Sequence, residues 1–79
     1  MNNHFGKILK ELRLEHGLSQ FQLAQNIDYS KTVIRDWETG RRNPTINALI
    51  AIALFFDVSI DYLAGLEDEL GNKIVPKKL

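Results

Sequence analysis

Apolar residues recur along this chain at helical spacing, and strand-like alternation is absent before residue 70. Phe5, Ile8, Leu9 and Leu12 fall at i, i+3, i+4 and i+7, which predicts an amphipathic helix. Gly17 stops it, as glycine past a helix end commonly does. Ser19 reads as the N-cap of a second helix, with Gln22 three residues on completing a capping box. Leu23, Ala24 and Ile27 form its apolar side. Asp28-Tyr29-Ser30 is a tight connection, and Ser30 can cap a third helix whose apolar positions are Val33, Ile34 and Trp37. Gly40 ends that helix, and Arg41-Arg42-Asn43-Pro44 forms a loop. Thr45 can cap a fourth helix running through Phe56, and Ser59 a short fifth one carrying Ile60 and Leu63.

Five short helices with short connections predict a compact all-α domain over residues 1–65. The three residues between the second and third helices match the length of a helix-turn-helix connection. After Gly65 the pattern weakens: Leu70, Ile74 and Val75 flank Gly71-Asn72, so the tail at 66–79 is either a small hairpin or disordered.

Composition narrows the function. Seventy-nine residues bury one core, which excludes a two-lobed enzyme with a cleft between domains. With no cysteine there is no disulfide scaffold, no Cys-ligated zinc and no thiol catalysis. The longest apolar run, nine residues from Ala48 to Phe56, is far short of the ~20 needed to span a membrane. The N-terminal segment lacks the apolar stretch of a signal peptide, so a cytoplasmic location without membrane association is expected. Ten Lys and Arg cancel ten Asp and Glu, but unevenly. Residues 1–43 carry seven cations and five anions, residues 44–72 five anions and no cation, and residues 73–79 three cations. Neutrality argues mildly against a nucleic-acid partner; this polarity weakens that argument. His4 and His16 lack a third ligand, and no Ser-His-Asp or paired-carboxylate constellation is present. No catalytic residue, metal, cofactor or small-molecule substrate is therefore expected.

The segment from Ser19 to Leu63 resembles the phage-repressor type of helix-turn-helix, the lambda repressor and Cro class or XRE family. Leu18-Ser19-Gln20, Leu23-Ala24, Ser30, Ile34, Trp37-Glu38, Gly40, Pro44 and Asp57-Val58-Ser59-Ile60-Asp61 carry the likeness in register, and it extends over residues 5–64. The resemblance implies a five-helix lambda-repressor-like domain. Its third helix would enter the major groove of double-stranded DNA, and the N-terminus of its second helix would touch the backbone. It also implies an ion pair between Arg13 and Glu38, at the edges of the apolar stripes of helices 1 and 3. One position departs: Asp28 stands where the family usually has glycine in the turn, a left-handed position that Asp tolerates better than most residues.

The residues themselves fit that expectation. On a helical wheel, Lys31, Thr32, Arg35, Asp36 and Thr39 fall opposite Val33, Ile34 and Trp37. Lys and Arg address guanine, Thr a thymine methyl, and Asp a cytosine amino group, although an ordinary solvated face uses the same residues. Lys31, Thr32, Arg35 and Asp36 are the candidate base-reading set. Two roles are open to Asp36: selecting cytosine, or orienting Arg35 or another neighbour. Gln20 is either a phosphate contact at a helix N-terminus or a solvent-facing helix starter; Ser30 is a cap, a phosphate contact or both. Arg41, Arg42 and Asn43 are expected to hold phosphate, fixing register without reading sequence.

Helix 4 has only Asn47 as a polar residue between Ile46 and Phe56. Leu54 and Phe55 are expected to extend an apolar patch beyond the core, joined by Tyr62 and Leu66, and such a patch suggests a partner surface. Leu14 and Phe21 also lie off their apolar stripes. The expected function is a repressor-like, sequence-specific DNA-binding transcriptional regulator, acting as a homodimer on a near-palindromic operator. The alternatives are a protein-interaction module on the same fold and an antitoxin-like protein.

Overall fold

The computed structural model describes residues 4–66. Their order is α1 (His4–Glu15), α2 (Gln20–Ile27), α3 (Lys31–Glu38), α4 (Ile46–Phe56) and α5 (Ile60–Leu63). All five expected helices are present; the expectation for the tail lies outside the described residues from residue 67 on.

Each of the last four helices begins at a hydroxyl residue. The side chains of Ser19, Ser30, Thr45 and Ser59 accept from the backbone N–H of Gln22, Val33, Ala48 and Tyr62, which satisfies one otherwise orphaned donor per helix. The capping box of α2 is complete: the Ser19 N–H donates to Gln22 Oε1 at 2.8 Å. Two helices end on left-handed aspartates, Asp28 at φ 64° and Asp57 at φ 56°. Asp28 was the anticipated site; Asp57 plays the same part after α4. Gly65, at φ +80°, has a second constraint: a Cβ there would lie 3.2 Å from the His4 side chain, so glycine lets the end of α5 reach the start of α1.

The left-handed aspartates supply a stability test. Asp28→Gly should raise stability by about 0.5–1 kcal/mol by removing the strain of a Cβ at positive φ, and Asp28→Ala should lower it by a similar amount. Urea melts of the two variants check the opposite signs; equal effects would show that the turn is indifferent to its conformation.

The core joins all five helices. Helix α1 packs on α3 and α5, α2 on α3 and α4, and α4 on α5. Phe5, Leu9, Leu23, Ile34, Ile52 and Leu63 are its largest fully buried side chains. Trp37 locks the helix pair that matters most. Its ring packs in T-shaped geometry with Phe5 and Tyr29, at centroid separations of 6.1 and 5.1 Å, so the α2–α3 turn and α1 both hold α3 in place. No helix among the described residues is long and apolar enough to cross a membrane.

Candidate nucleic-acid interface

The position of α3 is fixed by a polar joint as well as by the core. Arg13 on α1 donates from Nε to Glu38 Oε2 at 2.6 Å and from Nη2 to Glu38 Oε1 at 3.0 Å. Its Nη1 donates to the Leu18 carbonyl oxygen at 2.8 Å. The two side chains are 9% and 4% exposed, so this is a buried, bidentate pair with its remaining hydrogen bonds largely supplied. Gln20 joins it: its Nε2 donates to Glu38 Oε1 at 3.1 Å. The Glu38 carboxylate thus ties α1 and the first residue of α2 to the last residue of α3, and Arg13 adds the α1–α2 loop. The ion pair was implied by family resemblance. The Gln20 link was not anticipated, and it makes Gln20 a half-buried member of the joint rather than a free side chain at a helix start.

Held this way, α3 turns Lys31, Thr32 and Arg35 outward as exposed residues. Ser30 is exposed at its N-terminus while serving as its cap. Arg41, Arg42 and Asn43 are exposed in the loop that leaves its C-terminus. A helix face with two cations and a hydroxyl, capped by a short basic loop, can reach base edges and phosphates along one continuous surface.

Of the other two residues assigned to the outer face of α3, Asp36 is buried and Thr39 is exposed. Asp36 is 6% exposed and does not lie on the solvated face. The expectation of a place opposite the apolar stripe is corrected: Asp36 follows Val33 by only about 60° around the helix, and the chain after α3 returns to it, the N–H groups of Arg41 and Arg42 donating to its carbonyl oxygen at 2.9 and 3.2 Å. Its carboxylate lies 3.7 Å from Arg35 Nη2 and 3.6 Å from Arg42 Nη2. The carboxylate is thus placed beside both arginines, within reach to orient them. Thr39 is exposed, but its hydroxyl donates back to the carbonyl oxygens of Arg35 and Asp36, closing the helix end.

A second surface lies on α4. Leu54 is 78% exposed, and Phe55 and Leu66 are also exposed, whereas Tyr62 is half-buried. Ile46 and Ile50 are exposed as well and were not anticipated. With Leu54 they form an i, i+4, i+8 ridge about 12 Å long on a helix without a charged residue. Leu14 and Phe21 are exposed too. Among the described residues no three His, Cys, Asp or Glu side chains are grouped as metal ligands.

A family model for the helix-turn-helix matches residues 9–63, from α1 through α5. The chain belongs to the helix-turn-helix family of phage-repressor, or XRE, type. An uncharacterized HTH-type transcriptional regulator of Bacillus subtilis, YobD, is 35% identical over 71 residues, covering 90% of this chain and 63% of that protein. The N-terminal DNA-binding domain of SinR from Bacillus subtilis superposes with a TM-score of 0.75 at 28% identity, over 86% of this chain and 97% of that domain. The P22 c2 repressor, solved in complex with a synthetic operator, gives 0.71 at 25% identity, over 75% of this chain and 89% of that one. The fold is therefore the lambda-repressor-like five-helix domain. The chain spans 63%, 31% and 53% of the lengths of the first three curated relatives it matches.

Proposed function

We propose that this XRE-family chain is a sequence-specific DNA-binding transcriptional regulator of repressor-like type, not an enzyme, that reads the major groove with α3. The observation that carries the proposal is the exposed set Lys31, Thr32 and Arg35 on a helix pinned from behind by Trp37 and the Arg13–Glu38 joint. Rigid backing matters because base-edge hydrogen bonds need a fixed approach. Ser30, Arg41, Arg42 and Asn43 border the same face and fit phosphate, the first at a helix N-terminus and the others beside the helix end. Gln20 can still approach phosphate through its remaining amide hydrogen, with its orientation set by Glu38.

The two sets should respond differently to mutation. Lys31→Ala and Thr32→Ala should change which base is preferred. Arg41→Gln and Asn43→Ala should weaken all duplexes alike, and loss of Arg41 should flatten the salt slope by about one unit. Titrations of a selected and a scrambled duplex at several salt concentrations check this. Equal losses on both duplexes for Lys31→Ala and Thr32→Ala would remove the base-reading assignment. Binding that does not weaken with salt would instead favour the interaction-module reading, because phosphate contacts release counterions and apolar contacts do not.

The α4 ridge supports a homodimer. Leu54 and Phe55 on α4 and Leu66 after α5 are exposed apolar side chains, and Tyr62 of α5 is half-buried. Asp57 and Asp61 sit at the same end of the domain, so pairing there would turn carboxylates away from phosphate. A two-fold pair would place its two α3 helices about 34 Å apart, one turn of DNA, on a near-palindromic site.

A further inference from the structure

We propose that Asp36 is a specificity-determining positioning residue. Its buried carboxylate restrains Arg35 and Arg42 and so weakens binding to unselected DNA more than binding to the preferred site. This rests on the reading of α3 as the DNA-reading helix.

The geometry around Asp36 is unlike that of the structural ion pair in the same molecule. Arg13 and Glu38 meet through two hydrogen bonds, at 2.6 and 3.0 Å, with both side chains buried. The Asp36 carboxylate is as well buried, at 9% exposure, yet its Oδ1 has no hydrogen-bond partner among the described residues. What it faces are two guanidinium groups at 3.6 and 3.7 Å, within ion-pair reach and beyond hydrogen-bond length. Those arginines are 55% and 57% exposed. One arm comes from the reading helix and the other from the basic loop. The backbone of the loop is tied to the same residue, through the N–H groups of Arg41 and Arg42. A desolvated carboxylate with an unsatisfied oxygen attracts both arginines, and neither arginine is locked.

The consequence follows from charge. Any phosphate that draws Arg35 or Arg42 outward must take it from a carboxylate that burial has made costly to leave alone. Non-specific binding consists almost entirely of such phosphate contacts, so it bears the full penalty. At the preferred site Arg35 can stay oriented by Asp36 and address a base edge, so part of the penalty is avoided. Specificity is a difference between affinities, and an element that disfavours the wrong duplex serves it as well as one that favours the right duplex.

The test is Asp36→Asn in the full chain, titrated by fluorescence anisotropy against a selected duplex and a scrambled duplex of the same composition. Affinity for the scrambled duplex should rise roughly three- to tenfold at low salt, and its salt slope should steepen by about 0.9 for each cation released. The selected duplex should gain less, so the discrimination ratio falls. A parallel shift on both duplexes, or weaker binding to the scrambled one, overturns the proposal. In an R35Q/R42Q background, Asp36→Asn should leave the slope unchanged; a persisting increase also overturns it, because the effect would not pass through the arginines. Should Asp36→Asn fail to fold, the exposed loop supplies a second comparison. Arg41 has no ion-pair partner among the described residues, whereas Arg42 faces Asp36. R42Q should therefore lose less scrambled-duplex affinity than R41Q, and equal losses overturn the proposal. If the unmutated chain does not distinguish the two duplexes, the DNA reading itself fails and the proposal with it.

Discussion

Glu38→Ala should lose about 3–5 kcal/mol of folding stability, because it leaves the Arg13 guanidinium buried without its countercharge. The substitution removes two hydrogen bonds from Arg13 and one from Gln20 at once. Only the Leu18 carbonyl oxygen would still accept from Arg13. A domain of this size has about 5–15 kcal/mol in total, so the variant should melt tens of degrees lower or fail to fold. Glu38→Gln should fall between, since its amide oxygen can still accept. Replacing both partners together, Arg13→Met with Glu38→Leu, should recover much of the loss, because a buried ion pair contributes little over well-packed apolar residues. Thermal and urea melts check the series. A Glu38→Ala loss within about 0.5 kcal/mol, as at an exposed site, would show that the joint does not hold α3.

The second large effect concerns assembly. Leu54→Glu should give a folded monomer whose binding to a two-fold site is weaker by about a hundredfold or more, because the second α3 no longer binds at a raised effective concentration. Folding should survive, since Leu54 is 78% exposed and contributes little to the core. Sedimentation and duplex titration together check both halves of the prediction. Chain that is already monomeric at high micromolar concentration, with and without DNA, would remove the homodimer reading.

The sequence was most informative where a local rule acts on adjacent residues. Ser19 with Gln22, Ser30, Thr45 and Ser59 are legible as caps because a hydroxyl before an apolar-periodic run answers a need the backbone creates. The core positions of α1, α2, α3 and α5 are legible for the same reason, through their period. The Arg13–Glu38 pair is not. The two residues are 25 positions apart, and only family resemblance joined them. From sequence Gln20 reads as a phosphate contact or a solvent-facing helix starter, because nothing in its neighbourhood reveals that Glu38 lies behind it. Asp36 is misplaced from sequence because a helical wheel treats a helix as isolated, whereas in the fold the loop after Gly40 returns to it, by backbone hydrogen bonds and through the Arg42 side chain. Ile46 and Ile50 were missed on α4 because an almost wholly apolar helix gives no contrast between its faces. Their four-residue spacing from Leu54 was the available signal.

Selection of bound duplexes from a random pool with the unmutated chain decides whether α3 reads DNA sequence. The pool should become enriched in a near-palindromic site whose two half-sites lie about one helical turn apart, with base preferences that change in Lys31→Ala and Thr32→Ala. A pool that stays random after repeated selection, at salt low enough to retain DNA, would contradict the reading of DNA by α3.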